Sequence, residues 1–161
     1  MIPWVMLRDP SLIPLSHQHQ HALALCVRIE RGLRDGQADP AALQEDAAAL
    51  FRDEIEYHFR AEEQVLFPGL WRVESLQTLI DELRVEHVSL RRYGAQAAAG
   101  KLTAADLQVF AGSLSAHVRK EERQLFEQAQ AALPHAELER LGRELDAFFG
   151  SSGMPGASCR I

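Results

Sequence analysis

Apolar residues along this chain recur with the period of a helix rather than a strand. The segments between the prolines at 3, 10, 14, 40, 68, 134 and 155 are rich in Ala, Leu, Glu, Gln and Arg, the strong helix formers. No stretch alternates apolar and polar positions with β-branched residues, so no sheet is predicted. The pattern predicts four long helices. The first covers about Ser16 to Arg34, with Ser16 as candidate N-cap and Gly36 just past the end. The second opens at Asp39-Pro40, a capping residue followed by proline at the first helical position, and stops before Pro68-Gly69. The third covers about Glu74 to Ala99 and ends at Gly100. The fourth starts after Thr103, with Asp106 three residues on as in a capping box, and ends before Pro134. Short links between long helices imply antiparallel neighbours. The expected fold is therefore all-α, an up-down-up-down antiparallel four-helix bundle over residues 15–133. Residues 1–14 would form an N-terminal arm, with Trp4 packed on the bundle or at a dimer contact. Residues 134–149 would form a short C-terminal helix, and 150–161 a flexible, disordered tail.

The inner stripes of these helices carry the chemistry. A helix turns about 100° per residue, so one face reads i, i+3/4, i+7. The most apolar faces are Leu15, His19, Ala22, Cys26, Ile29, Leu33 on the first helix and Phe51, Ile55, His58, Glu62, Leu66 on the second. They are Leu76, Ile80, Leu83, His87, Leu90 on the third and Leu107, Phe110, Leu114, His117, Glu121, Leu125 on the fourth. Every stripe is interrupted by one histidine, and two are interrupted again by a glutamate one turn later. One histidine on an apolar face is commonly a hydrogen-bonded core residue. Four histidines and two glutamates are different, because an unpaired buried carboxylate costs several kcal/mol. No Lys or Arg lies on these faces to neutralise the glutamates. A metal would do so, and imidazole with carboxylate suits iron, manganese or zinc. Two carboxylates able to bridge favour two ions over one.

A repeat reinforces this reading. HFRAEEQVLF at 58–67 and HVRKEERQLF at 117–126 share six of ten positions. In both, His and Glu stand four apart and stack on one face, about 6 Å apart in rise. The chain therefore runs twice through the same series, a lone histidine followed by His-x-x-x-Glu.

Charge and composition narrow the remaining classes. With 161 residues, net charge −6, 47% hydrophobic and 25% charged residues, this is a single-domain length of ordinary globular composition. The acidic balance without a Lys/Arg run excludes a typical nucleic-acid surface. Two cysteines, Cys26 and Cys159, make neither a disulfide scaffold nor a four-cysteine zinc site. No basic n-region precedes the apolar N-terminal patches, and no apolar run approaches the ~20 residues of a membrane span. The expected location is cytoplasmic, with no membrane partner.

The motifs His19, HFRAEE at 58–63, EH at 86–87 and HVRKEE at 117–122 resemble the hemerythrin-like family, the HHE cation-binding domain, in its bacterial type. The resemblance covers roughly residues 15–130. It implies an up-down four-helix bundle and a carboxylate-bridged non-haem di-iron centre. Carried over by position, His19, His58, His87 and His117 would be terminal ligands, and Glu62 and Glu121 the bridges. Glu63 and Glu122 are next in line. Some relatives use the acid five residues after the last histidine, so Glu122 competes with Glu121, which the stripe favours. Respiratory relatives carry a second histidine one turn along the third helix. Here Arg91 follows His87 by four and Leu83 precedes it by four, which leaves more coordination positions open.

The other histidines fit less well. His17 and His21 share a polar face with Arg28, Arg31 and Asp35, so they are read as exposed unless the first helix is distorted enough to bring either to the metal. His135 falls outside the motifs. Ferritin-like Glu-x-x-His pairs and a His-Glu-x-x-His string are both absent. The leading expectation is a two-iron protein that binds or reacts with O2 or another small ligand such as NO, for carriage, sensing or stress defence. Its open site would face an apolar pocket lined by residues such as Phe51, Phe110 and Leu114. A di-iron redox enzyme, for peroxide decomposition or iron–sulfur cluster repair, is the alternative. A metal-free helical interaction module is the third reading.

Overall fold

The computed structural model describes residues 7–151, and they are helical with no strand. Five helices follow one another: α1 (Ile13–Asp35), α2 (residues 40–69), α3 (Glu74–Ala98), α4 (residues 104–132) and α5 (His135–Ser151). Helix α1 packs along α4 and α2, and α3 packs along the other sides of α2 and α4. The four long helices thus close a ring around one axis. Helix α5 lies against α2 beside the end of the bundle. No described helix is long and apolar enough to cross a membrane.

Most boundaries follow from local chemistry. Asp39 accepts a hydrogen bond from the Ala41 amide at 3.0 Å and Pro40 opens α2. Thr103 and Asp106 form a reciprocal capping box at the start of α4. Gly36 and Gly100 terminate α1 and α3 in the left-handed region, at φ 62° and 68°. Three boundaries differ from the pattern. Helix α1 starts at Ile13, not Ser16, because Asp9 organises the turn before it and Pro14 fits a first turn that needs no amide donor. The arm therefore ends at Leu12. Its described part is tied down by Arg8, which reaches Glu122 and Gln130, while Trp4 lies outside the described residues. Helix α2 runs on through Pro68-Gly69, since Pro68 falls in the first turn of a fresh helical segment. Helix α5 continues to Ser151. Of the expected tail, residues 152–161 lie outside the described residues, Cys159 among them.

Helices α2 and α4 contain a feature that a constant 3.6-residue pitch does not anticipate. Wide π-helical turns occupy Phe51–Ile55, Glu62–Leu66 and Glu121–Leu125. Two of the three begin at the inward glutamate of each repeat copy, a placement typical of functional sites. The extra residue per turn lets Leu66 and Phe67, and likewise Leu125 and Phe126, bury together.

The core consists of two apolar clusters. One contains Ile29, Phe51, Phe59, Leu90, Phe110 and Leu114. The other contains Leu15, Leu66, Phe67, Leu83 and Phe126, capped by Leu141, Leu145 and Phe149 from α5. Each fully buried side chain of this size stabilises the fold by about 1.5–3 kcal/mol. The buried histidines and glutamates occur between the two clusters along every long helix.

The first cluster is tight where α3 meets α2. A Cβ added at Gly94 would stand 2.6 Å from the Phe51 ring. Phe51 in turn lies edge-on to Phe59, with centroids 6.0 Å apart. Gly94→Ala should therefore destabilise despite its better helix propensity, because overpacking costs about 1–3 kcal/mol against about 1 kcal/mol gained. The expected net loss is about 1 kcal/mol, measured by urea denaturation. A gain in stability would show that the contact relaxes freely.

Candidate metal centre

Four helices deliver six ionisable side chains to one layer. His19 comes from α1, His58 and Glu62 from α2, His87 from α3, and His117 and Glu121 from α4. None is more than 5% exposed. The imidazole Nε2 atoms face inward. His19 Nε2 stands 3.0 Å from Glu121 Oε2, His58 Nε2 3.2 Å from Glu62 Oε1, His87 Nε2 3.3 Å from Glu62 Oε2, and His117 Nε2 3.3 Å from Glu121 Oε1. His19 and His58 bring their Nε2 atoms within 2.9 Å of each other.

The outer nitrogen of every histidine is held by a polar side chain. Nδ1 of His19 donates to Glu122 at 2.7 Å, His58 to Gln18 at 2.8 Å, His87 to Glu63 at 2.8 Å and His117 to Glu86 at 2.7 Å. Carboxylate and amide oxygens only accept, so each Nδ1 carries a proton and Nε2 is the atom left to face the layer. The anchors are themselves held. Arg8 bonds Glu122, Arg91 bonds Glu63 and Glu56, and Lys120 bonds Glu86. Phenyl rings fix the planes: Phe59 stacks on His87 at 3.9 Å and Phe126 on His19 at 5.5 Å.

Most of the inner atoms lack an ordinary hydrogen-bond partner. Both oxygens of Glu62, both of Glu121 and the Nε2 atoms of His87 and His117 are buried without a hydrogen-bond partner. Burial opposes ionisation of Glu62 and Glu121, and the Glu121 charge further opposes that of Glu62, yet the surrounding imidazoles hold both below the ordinary carboxylate range. Burial likewise opposes protonation of His19 and His87, but their glutamate partners outweigh it and raise them to about 9 and about 11. Outside the layer, burial of Glu63 is overcome by bonds from His87 and Arg91, which bring it down to about 2. The site thus demands positive charge at Nε2, and protons are one way to supply it. A metal is the other. His19, His58, Glu62 and Glu121 form one group whose ligand atoms lie within 4.8 Å of one another, and Glu62, His87, His117 and Glu121 form a second. The two carboxylates belong to both, so the residues present fit two ions sharing two bridges.

The remaining candidates lie elsewhere. Glu63 and Glu122 hold histidines from outside and take no part in either group. His17 is exposed, and His21 turns outward to Glu54 at 2.7 Å. His135 is exposed and pairs with Glu139. Gln18 and Glu86 were not singled out as anchors by the stripe reading, because neither lies on an inner face. Their signal was positional: each immediately precedes the lone histidine of its half of the chain. Arg91 does not leave a simple gap where a ligand is missing, but clamps Glu63 and lies over the Phe59 ring.

A narrow cavity of about 10 Å³, room for about one water-sized molecule, opens beside His19, His58 and His117. Ala22, Leu50, Ile55, Phe59, Leu114 and Val118 make its apolar wall. Leu114 is where the stripe placed it. Phe51 and Phe110 are not in the wall: Phe51 packs on Gly94 and Phe110 on Tyr93, and Phe59 takes their place.

No curated protein and no solved structure matches the chain closely enough to count as a relative. Residues 14–129 match the hemerythrin HHE cation binding domain, which spans all four long helices up to the last turn of α4. The repeat, the buried His/Glu layer and this match agree, and the chain belongs to the hemerythrin HHE cation-binding domain family.

Proposed function

We propose that this protein is an up-down four-helix bundle holding a carboxylate-bridged pair of iron ions, and that it takes up a small gaseous ligand, O2 or NO. The carrying observation is the convergence of acceptor atoms without donors: four carboxylate oxygens and inward imidazole nitrogens in a layer with no Lys or Arg among the partners of Glu62 and Glu121. Glu62 and Glu121 would be shared by both ions, with His19 and His58 holding one and His87 and His117 the other. When bound, the iron pair supplies a redox-active centre for a diatomic ligand. The chain does the rest. The anchors fix each Nδ1–H and aim each Nε2 into the layer. The apolar cavity admits one small neutral molecule and disfavours release of a charged product such as superoxide. With two imidazoles and two shared carboxylates for each ion, the protein leaves positions free for that molecule.

Reversibility separates the readings. Protein loaded anaerobically with ferrous iron should change its optical spectrum on adding O2 or NO and recover when the gas is removed. Continuous consumption of O2 or peroxide with turnover would instead make it a redox enzyme. Failure to bind iron would leave only the helical interaction module.

Metal content tests the ligand set directly. Wild type should hold two ions per chain, and Glu62→Ala or Glu121→Ala should lose both, whereas His17→Ala and His21→Ala should lose none. Retention of two ions by Glu62→Ala with an unchanged spectrum would sink the assignment.

The cost of losing a ligand should depend on metal. A ligand present at about 1,000 times its Kd adds about 4 kcal/mol, and each kcal/mol is about 2–4 °C of Tm in a domain of this size. Chelation should therefore lower Tm by about 10 °C. Glu62→Gln should lower Tm more in loaded protein than in chelated protein, because with metal bound it loses a ligand as well as the charge that pairs with the imidazoles. Equal losses in both states would indicate a structural carboxylate, not a ligand.

A further inference from the structure

The site is built from two halves that match residue for residue. His19 corresponds to His87, His58 to His117, Glu62 to Glu121 and Glu63 to Glu122. The contacts correspond as well. Glu63 holds His87 across to α3, and Glu122 holds His19 across to α1, at 2.8 and 2.7 Å. The residue before each lone histidine holds the histidine of the next helix: Gln18 holds His58 and Glu86 holds His117. This last pair breaks the symmetry. Three histidines hand their Nδ1 proton to a carboxylate that is itself bonded to Arg8, Arg91 or Lys120. His58 hands its proton to a neutral amide.

The difference has a chemical consequence. A carboxylate accepting Nδ1–H pulls on the proton and leaves more electron density on Nε2, so the imidazole is a stronger donor. An amide oxygen pulls less, since charge-assisted hydrogen bonds are roughly twice as strong as neutral ones. The His87–His117 position has two carboxylate-backed imidazoles. The His19–His58 position has one; both of its histidines line the cavity, and His117 of the other position lines it too.

We infer that the two metal positions are unequal, that the His87–His117 position fills first and the His19–His58 position second, and that Gln18 is the positioning residue that sets the difference. This rests on the two-ion reading above.

The test is an anaerobic Co(II) titration of the chelated protein, read by calorimetry, with crystals grown at one equivalent of Co(II) and examined by anomalous scattering. Repulsion between two cations makes the second step weaker even in identical positions, but it would divide one equivalent equally between them. The inference expects most of that equivalent at His87–His117. Gln18→Glu should tighten the second step about 10-fold, the order seen for outer partners of metal ligands, leave the first within 2-fold, and even out the occupancies. Glu86→Gln should weaken the first step by a similar factor, which tests the idea independently if Gln18→Glu fails to fold. Equal occupancy in wild type, excess at His19–His58, or unchanged constants in both variants would overturn the inference while leaving the two-ion site intact. Binding of fewer than two Co(II) ions by wild type would overturn both.

Discussion

Two carboxylates buried side by side, with only imidazoles to answer them, are the constraint around which this protein is organised. Glu62 and Glu121 are fully buried. Each ion removed from water carries an effective penalty of several kcal/mol, and a domain is stable by only about 5–15 kcal/mol. The fold meets this demand in layers. Apolar clusters on either side exclude water and supply the folding energy. Four histidines surround the carboxylates, and their inward nitrogens can hold either protons or metal. A ring of Glu and Gln side chains settles which nitrogen faces inward, and Arg8, Arg91 and Lys120 hold its three glutamates ionised and in place. Charge therefore alternates outward from the centre, from cation demand to carboxylate to imidazole to carboxylate to cation, so that no shell is left uncompensated.

The ten-residue repeat achieves this with few residues because each copy does two jobs. Its first glutamate points in and its second points across. Glu62 faces the layer while Glu63 holds His87; Glu121 faces the layer while Glu122 holds His19. Phe67 and Phe126, four residues further, lie over the same two histidines. Adjacent glutamates on a regular helix diverge by about 100°, which suits one inward and one lateral contact. The π-helical turn beginning at the first glutamate then allows Leu and Phe at the end of the motif to bury together. The doublet and the wide turn are parts of one device.

Much of this was legible in the sequence, and the reason is physical. His19, His58, His87, His117, Glu62 and Glu121 stood out because ionisable groups on apolar stripes contradict their surroundings, and such contradictions survive without coordinates. The four long helices were legible from period and punctuation. What escaped was whatever depends on distance between helices. Gln18 and Glu86 look like ordinary surface residues when each helix is read alone. Glu63 and Glu122 were weighed only as spare ligands, because a stripe distinguishes inward from outward and has no category for lateral. The cavity wall was misread at Phe51 and Phe110 because the stripe gives a face and not a depth along the bundle axis. The start of α1 was missed because Asp9 and Pro14 act before the first periodic residue.

Arg91 brings these strands together. Read as sequence, it marks a place where a further histidine would have stood, and so a weaker site. In the fold it clamps Glu63 and Glu56 and lies over Phe59, the ring that stacks on His87. A donor to metal has been exchanged for a residue that stiffens a donor already present. The proposed ion beside His87 and His117 thus has firmer ligands, and the ion beside His19 and His58 has the one neutral anchor. The proposed difference in donor strength between the two positions then comes down to one exchange in the ring of anchors, an amide in place of a carboxylate.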